Sequence, residues 1–174
     1  MNLRLTNLDR LIGRTLVQFE SWLISSAWRG RENECVNLFT HGFLFKEIGI
    51  GKPIEDFTQV GIEVSVPQPK GIGTKAAARK DLVIWNEAHE TAFNTDWIPV
   101  RFPISIIEWK AKRKPKRSVL LDSHDIRWLA QMSQQNQNFL GYAVTVDFAN
   151  PTRRLFTARL FGGEQTDDFQ QDYK

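Results

Sequence analysis

The chain has 174 residues, 41% of them hydrophobic and 25% charged, with a formal net charge of +3. That suits one compact domain, 1–174, with a core of its own, and demands no second domain. A single cysteine, Cys35, excludes an internal disulfide and a cysteine-rich zinc site. The N-terminal region is interrupted by Arg4, Asp9, Arg10, Arg14 and Glu20, and no run of about 18 apolar residues offers a membrane span. A cytoplasmic protein that does not enter the membrane is therefore expected.

Residues 7–28 carry Leu8, Leu11, Ile12, Leu16, Phe19 and Leu23 on one helical stripe, with Asn7 as the expected N-cap and Trp22 and Trp28 packed nearby. Residues 1–29 thus read as an N-terminal helical extension. Gly30 breaks the run, and "RENECVNLFTHGFLF" predicts a second helix from Arg31 with Cys35, Val36, Phe39 and Phe43 on a shared face. Beyond Pro53 the period becomes strand-like in "GIEVSVPQP". "KGIGTKAAARK" is read as a flexible basic loop, "DLVIW" (81–85) as a short strand, and "PISIIEWK" (103–110) as the next. Asp122 or Ser123 caps an expected helix over 124–139. "GYAVTVDF" (141–148) and "RLFTARLF" (154–161) form the last two strands, turned by Asn150-Pro151, and 162–174 is expected to be a flexible tail. The order predicts an α/β domain with a central sheet.

In a strand, alternate side chains share a face. Glu108 and Lys110 therefore point one way while Ile107, Trp109 and Ala111 point the other. Asp81 opens the neighbouring strand, sharing its face with Val83 and not with Leu82 or Ile84. If Asp81 stands beside Glu108, two carboxylates and a lysine converge. Hard cations such as Mg²⁺ favour such oxygen ligands, and the lysine can polarise a water and offset charge on a phosphate.

"KDLVIW" followed by "IIEWK" resembles the PD-(D/E)xK nuclease superfamily, with Lys80 where the literal proline would stand. The resemblance implies a restriction-endonuclease-like core, α-β-β-β-α-β, over residues 31–148, with a central mixed sheet flanked by helices. It implies a Mg²⁺- or Mn²⁺-dependent endonuclease acting on DNA, in which Asp81 and Glu108 bind metal and Lys110 positions the attacking water. "RENECVNLFTHGFLF" is similar to the first core helix of archaeal Holliday-junction resolvases, which gives Glu32 a direct or water-mediated metal role. Glu34 is the reserve for that position, and Gln131 or Gln134 could join from the later helix. Asp96 in "TDWIP" is a rival first acid, ranked lower because no strand carries it.

The block from Lys110 to Arg117 holds six basic residues in eight. Lys112, Arg113, Lys114, Lys116 and Arg117 are expected to neutralise phosphates on one side of the site, and Lys75, Arg79 and Lys80 on the other. A solvated charge run is the plain alternative. Glu63 is read as an exposed strand acid or an extra ligand; Trp85 and Trp97 stay open between core and base stacking. "GIGTK" lacks the phosphate-loop spacing, and no serine-nucleophile elbow occurs. A non-catalytic nucleic-acid-binding module is the competing class, and an RNA-directed nuclease a third. Cleavage of both strands by one small site would need a homodimer or two visits, and a partner protein could supply specificity.

Overall fold

The structure, a computed structural model, describes residues 1–114, 121–149 and 155–173. It is a mixed α/β fold around a six-stranded sheet whose strands lie in chain order. The strands are β1 (Val60–Pro67), β2 (Ala77–Ile84), β3 (Ser105–Lys112), β4 (Leu140–Asp147), β5 (Leu155–Phe161) and β6 (Glu164–Asp167). Every neighbouring pair is antiparallel except β3 and β4, which are parallel. That parallel pair requires a crossover, and helix α3 (Ser123–Gln135) lies within it.

Helices cover both faces of the sheet. On one face, α1 (Leu3–Ser25) and α2 (Glu32–Gly42) pack over Leu82, Ile84, Ile107, Trp109, Tyr142 and Val144. On the other, α3 contributes Trp128, Leu129 and Met132 to a core with Val83, Ile106, Ala143 and Leu160. Helix α1 begins five residues before the expected position. Asn2, not Asn7, is the cap, because its side chain accepts from the Leu5 amide at 2.9 Å. Cys35 is fully buried, and burial pushes its thiol up to about 12. It acts as a small core hydrophobe.

Two further expectations are corrected. Residues 77–80, assigned to the flexible loop, belong to β2, since their backbone pairs with Val64–Pro67. The tail is not loose: residues 164–167 form β6, and Phe169–Tyr173 form a short 3-10 helix against α1. Phe169 is buried, and the Tyr173 ring lies where a Cβ on Gly13 would otherwise stand. Tyr173 and Tyr142 donate to Asp9 at 2.9 and 2.8 Å, and Arg159 pairs with the same carboxylate at 2.6 Å. The Asn150-Pro151 turn lies outside the described residues, and among those described no helix is long and apolar enough to cross a membrane.

Candidate functional site

The sheet forks. Strands β2 and β3 pair only from Leu82↔Ile107 to Ile84↔Ser105. Beyond that point β2 stays with β1 as far as Pro67↔Ala77, while β3 continues beside β4 to Lys112↔Asp147. Asp81, Glu108 and Lys110 are the residues at the fork. The N-termini of α2 and α3 come to the same place, one from each face, and bring Glu32 and Asp125. Acids in a first turn suit the positive end of a helix dipole.

Asp81 fills the seam left by the missing ladder: its Oδ2 accepts the Trp109 amide at 2.8 Å. The Trp109 carbonyl accepts from the Lys110 ammonium at 2.9 Å. Both main-chain groups of Trp109 therefore serve the site. Its indole is anchored in the core against Phe19 and Phe39, with ring centroids 5.7 and 5.1 Å away, so that stretch of backbone is rigidly held. Lys110 bridges the two faces, lying 3.1 Å from Asp125 Oδ2 and 3.5 Å from Glu32 Oε1. Burial alone would pull this ammonium down, but Asp125 and Glu32 outweigh it and hold it above the ordinary lysine range.

Glu108 is only 4% exposed, and its partner is Lys80, not Lys110. Lys80 is itself 3% exposed, with its ammonium 3.7 Å from the centroid of the Trp128 ring. Its expected place in a basic bank facing phosphates is thus corrected: it lies inside the protein. The cause is a break in alternation. Ile62 and Leu82 pair and point to the α2 side, whereas the next pair, Val64 and Lys80, points to the α3 side. Glu63 and Asp81, between them, leave the ladder, and Glu63 adopts a φ of +54°. Asp81 accordingly does not share the face of Val83, as strict alternation predicted. It borders a cavity of about 470 Å³ together with Glu32, Val36, Ile62, Glu63 and Arg113.

Four carboxylates (Glu32, Asp81, Glu108, Asp125) thus face two ammoniums (Lys80, Lys110), and the fork carries an excess of negative charge. Burial pushes Glu108 up to about 7, more than Lys80 draws it down, and the Asp81 charge adds to the rise. Glu32 is raised in the same way: burial outweighs Lys110, and Asp81 adds to it. Carboxylate oxygens are the donors that hard divalent cations take. The expected cage is not preassembled, however. Among the described residues no three His, Cys, Asp or Glu side chains stand together closely enough to hold a metal ion, because lysines engage Glu108 and Glu32.

The remaining expectations divide. Glu34 serves as a cap, accepting the Arg31 amide at 2.6 Å, so Glu32 alone represents α2 in the site. Glu63 pairs with Arg79, and both are substantially exposed. Gln131 is half-buried and bonds none of the acids among the described residues; Gln134 lies beside the β5–β6 turn at Gly163. Lys75, Arg79, Arg113 and Lys114 are exposed and Lys112 half-exposed, while Lys116 and Arg117 lie outside the described residues. Asp96 sits in an exposed turn of the β2–β3 connection. Trp85 is buried; Trp97 is 80% exposed.

Sequence reasoning missed Asp125 and misplaced Lys80. Asp122 signalled only a helix cap, and the acid three residues later marks the helical turn facing Lys110. Comparison with protein-family models, curated proteins and solved structures finds no match for this chain.

Proposed function

We propose that the chain is a metal-dependent nuclease of the PD-(D/E)xK type that hydrolyses phosphodiester bonds in DNA and works in the cytoplasm. The observation that carries this reading is the fork. Acids and a lysine from α2, β2, β3 and α3 gather where the sheet opens, next to a basic rim. The order α2-β1-β2-β3-α3-β4, with its parallel β3–β4 pair in a mixed sheet, supports this reading.

In this mechanism Asp81 and Glu108 would hold Mg²⁺ or Mn²⁺, and Glu32 would assist directly or through water. When bound, the ion supplies a Lewis acid that lowers the pKa of a water and stabilises negative charge at phosphorus. Lys110, aimed by Asp125, Glu32 and the Trp109 carbonyl, orients the attacking water and balances charge on the phosphate. The buried Trp109 ring keeps the backbone that contacts Asp81 and Lys110 from shifting. Arg79 and Lys75 on one lip, with Lys112, Arg113 and Lys114 on the other, place the polyanion by charge.

The test is incubation with supercoiled plasmid, single strands, a four-way junction and RNA, each with Mg²⁺, Mn²⁺ or EDTA. Cleavage of DNA that EDTA abolishes is expected; RNA as the preferred substrate would redirect the reading. The lysine engagement of Glu108 and Glu32 favours one second reading, a nucleic-acid-binding module without metal chemistry. Calorimetry separates the two. Binding of DNA with no heat from Mn²⁺ selects the module.

A further inference from the structure

We infer that the groove between α1 and the loop of residues 47–56 binds a ligand carrying adjacent phosphate groups, of the nucleoside di- or triphosphate class. The groove lies past the C-terminal end of β2, away from the fork, and the inference does not rest on the nuclease reading. Its volume is about 1060 Å³. Arg4, Asn7, Leu11 and Arg14 line one wall from successive turns of α1, a stretch about 15 Å long, with Arg10 beside them. Lys52 stands on the loop opposite, and Asn86 and Glu87 close one end.

Charge points to an anion. Among the acids that line the groove, Glu87 is engaged by Arg4 at 3.6 Å and by the Asn86 amide at 2.7 Å. Glu55 is turned to its own loop, where it accepts the Gly51 amide at 3.3 Å. Glu47 is the remaining carboxylate. Arg10, Arg14 and Lys52, by contrast, pair with no carboxylate among the described residues, and all three are exposed. Arginines four residues apart on a helix repel each other, a cost that a shared anion reverses. Guanidinium forks match phosphate oxygens, and three cations facing one groove call for several negative charges close together. A chain of phosphates supplies them; a lone carboxylate does not. Leu3, Leu11 and Pro53 add apolar surface, and the volume leaves room for a base and sugar.

The walls are also held in place before any ligand arrives. Gln59, buried at the groove, accepts the Glu55 and Asp56 amides at 2.9 and 3.1 Å. Its own amide donates to the Trp85 and Asn86 carbonyls, both at 3.2 Å. One side chain thus ties the loop to the end of β2. Arg4 donates to the same Asn86 carbonyl and joins α1 to that end. A ligand therefore meets fixed walls and orders only the free ends of Arg10, Arg14 and Lys52.

Calorimetry in EDTA at low salt, with ATP, tripolyphosphate, adenosine and a short single-stranded oligonucleotide, tests the inference. Wild type is expected to bind ATP and tripolyphosphate, more weakly as salt rises, and to ignore adenosine. Arg14→Gln and Lys52→Gln should each weaken ATP binding about tenfold, the scale of one charged hydrogen bond. The double variant Arg10→Gln/Arg14→Gln should abolish it, whereas Arg127→Gln, on exposed surface of α3, should leave it unchanged. Without ligand the double variant should melt at or above the wild-type temperature, because a repulsion is gone, so that lost binding is not lost fold. No ATP binding by wild type, binding that survives the double variant, or adenosine bound as tightly as ATP overturns the inference. An oligonucleotide bound in preference to ATP overturns it as well and gives the groove to a strand. Plasmid cleavage tests the nuclease reading separately, whichever way these titrations fall.

Discussion

Two charge clusters in this molecule are built on opposite principles. Around Asp9 a single carboxylate receives two phenols and a guanidinium, all within 2.9 Å, and every partner comes from an element that the cluster ties down. At the fork four carboxylates share two ammoniums, and Glu108 and Glu32 are held above their ordinary range by burial, to which the Asp81 charge adds. The first arrangement is complete as it stands and joins α1, β4, β5 and the C-terminal segment. The second has more acids than ammoniums, the imbalance that the proposed function would use. A polar cluster surplus in one sign suggests chemistry; a balanced one suggests architecture.

Mutations can break this comparison at either end. The largest expected effect is on cleavage: Asp81→Ala or Lys110→Ala should lower the rate by about 10³-fold or more, the scale of losing a group aimed at the reacting phosphate. Both should still fold, with thermal midpoints lowered by the loss of the Trp109 amide contact in one and of the Asp125 pair in the other. Full Mg²⁺-dependent activity in Asp81→Ala would remove the metal role of that residue. Asp9→Ala should do the reverse, losing about 3 kcal/mol in denaturant unfolding, as expected when a buried charge loses its partner. Its kcat should be unchanged at temperatures where it stays folded. A drop in kcat for Asp9→Ala would erase the distinction between the clusters.

The raised carboxyl of Glu108 sharpens the contrast through pH. Its folded value of about 7 lies above the ordinary 4.5, so between those values the folded metal-free protein holds a proton that the unfolded chain has released. Stability attributable to this residue therefore falls as pH rises through that window. Measured against Glu108→Gln, wild type should lose stability between about pH 5 and pH 7. A flat difference would show that Glu108 ionises freely. The smallest effect belongs to the clasp. Tyr173→Phe removes one hydrogen bond and should cost about 1 kcal/mol, with no change in cleavage.

Much of the fold was legible because its signals are local. The stripe from Leu8 to Leu23, the alternation in β1 and the apolar runs of β2 and β3 each report their own secondary structure, and all are found where expected to within a few residues. Asp122 announced the start of α3 by cap chemistry alone. The resemblance of the helix puts Glu32 ahead of Glu34, and Glu34 is occupied in a cap. The tail misled because "GGEQTDDFQQDYK" is polar in composition, while its ordering rests on Phe169 and Tyr173 meeting α1, a contact more than 150 residues distant in sequence.

By itself the sequence determined the order of helices and strands, the placing of Glu108 and Lys110 at alternate positions of one strand, and the run of basic residues that follows them. These depend on periods of 3.6 and 2 and on residue type. Only the tertiary structure decided which ammonium each acid holds. That outcome depends on where β2 parts from β3 and on a switch of faces at Glu63 and Asp81, and neither leaves a mark in local pattern. A one-residue change in facing moves a side chain from one surface of a sheet to the other, and long-range packing alone selects between them.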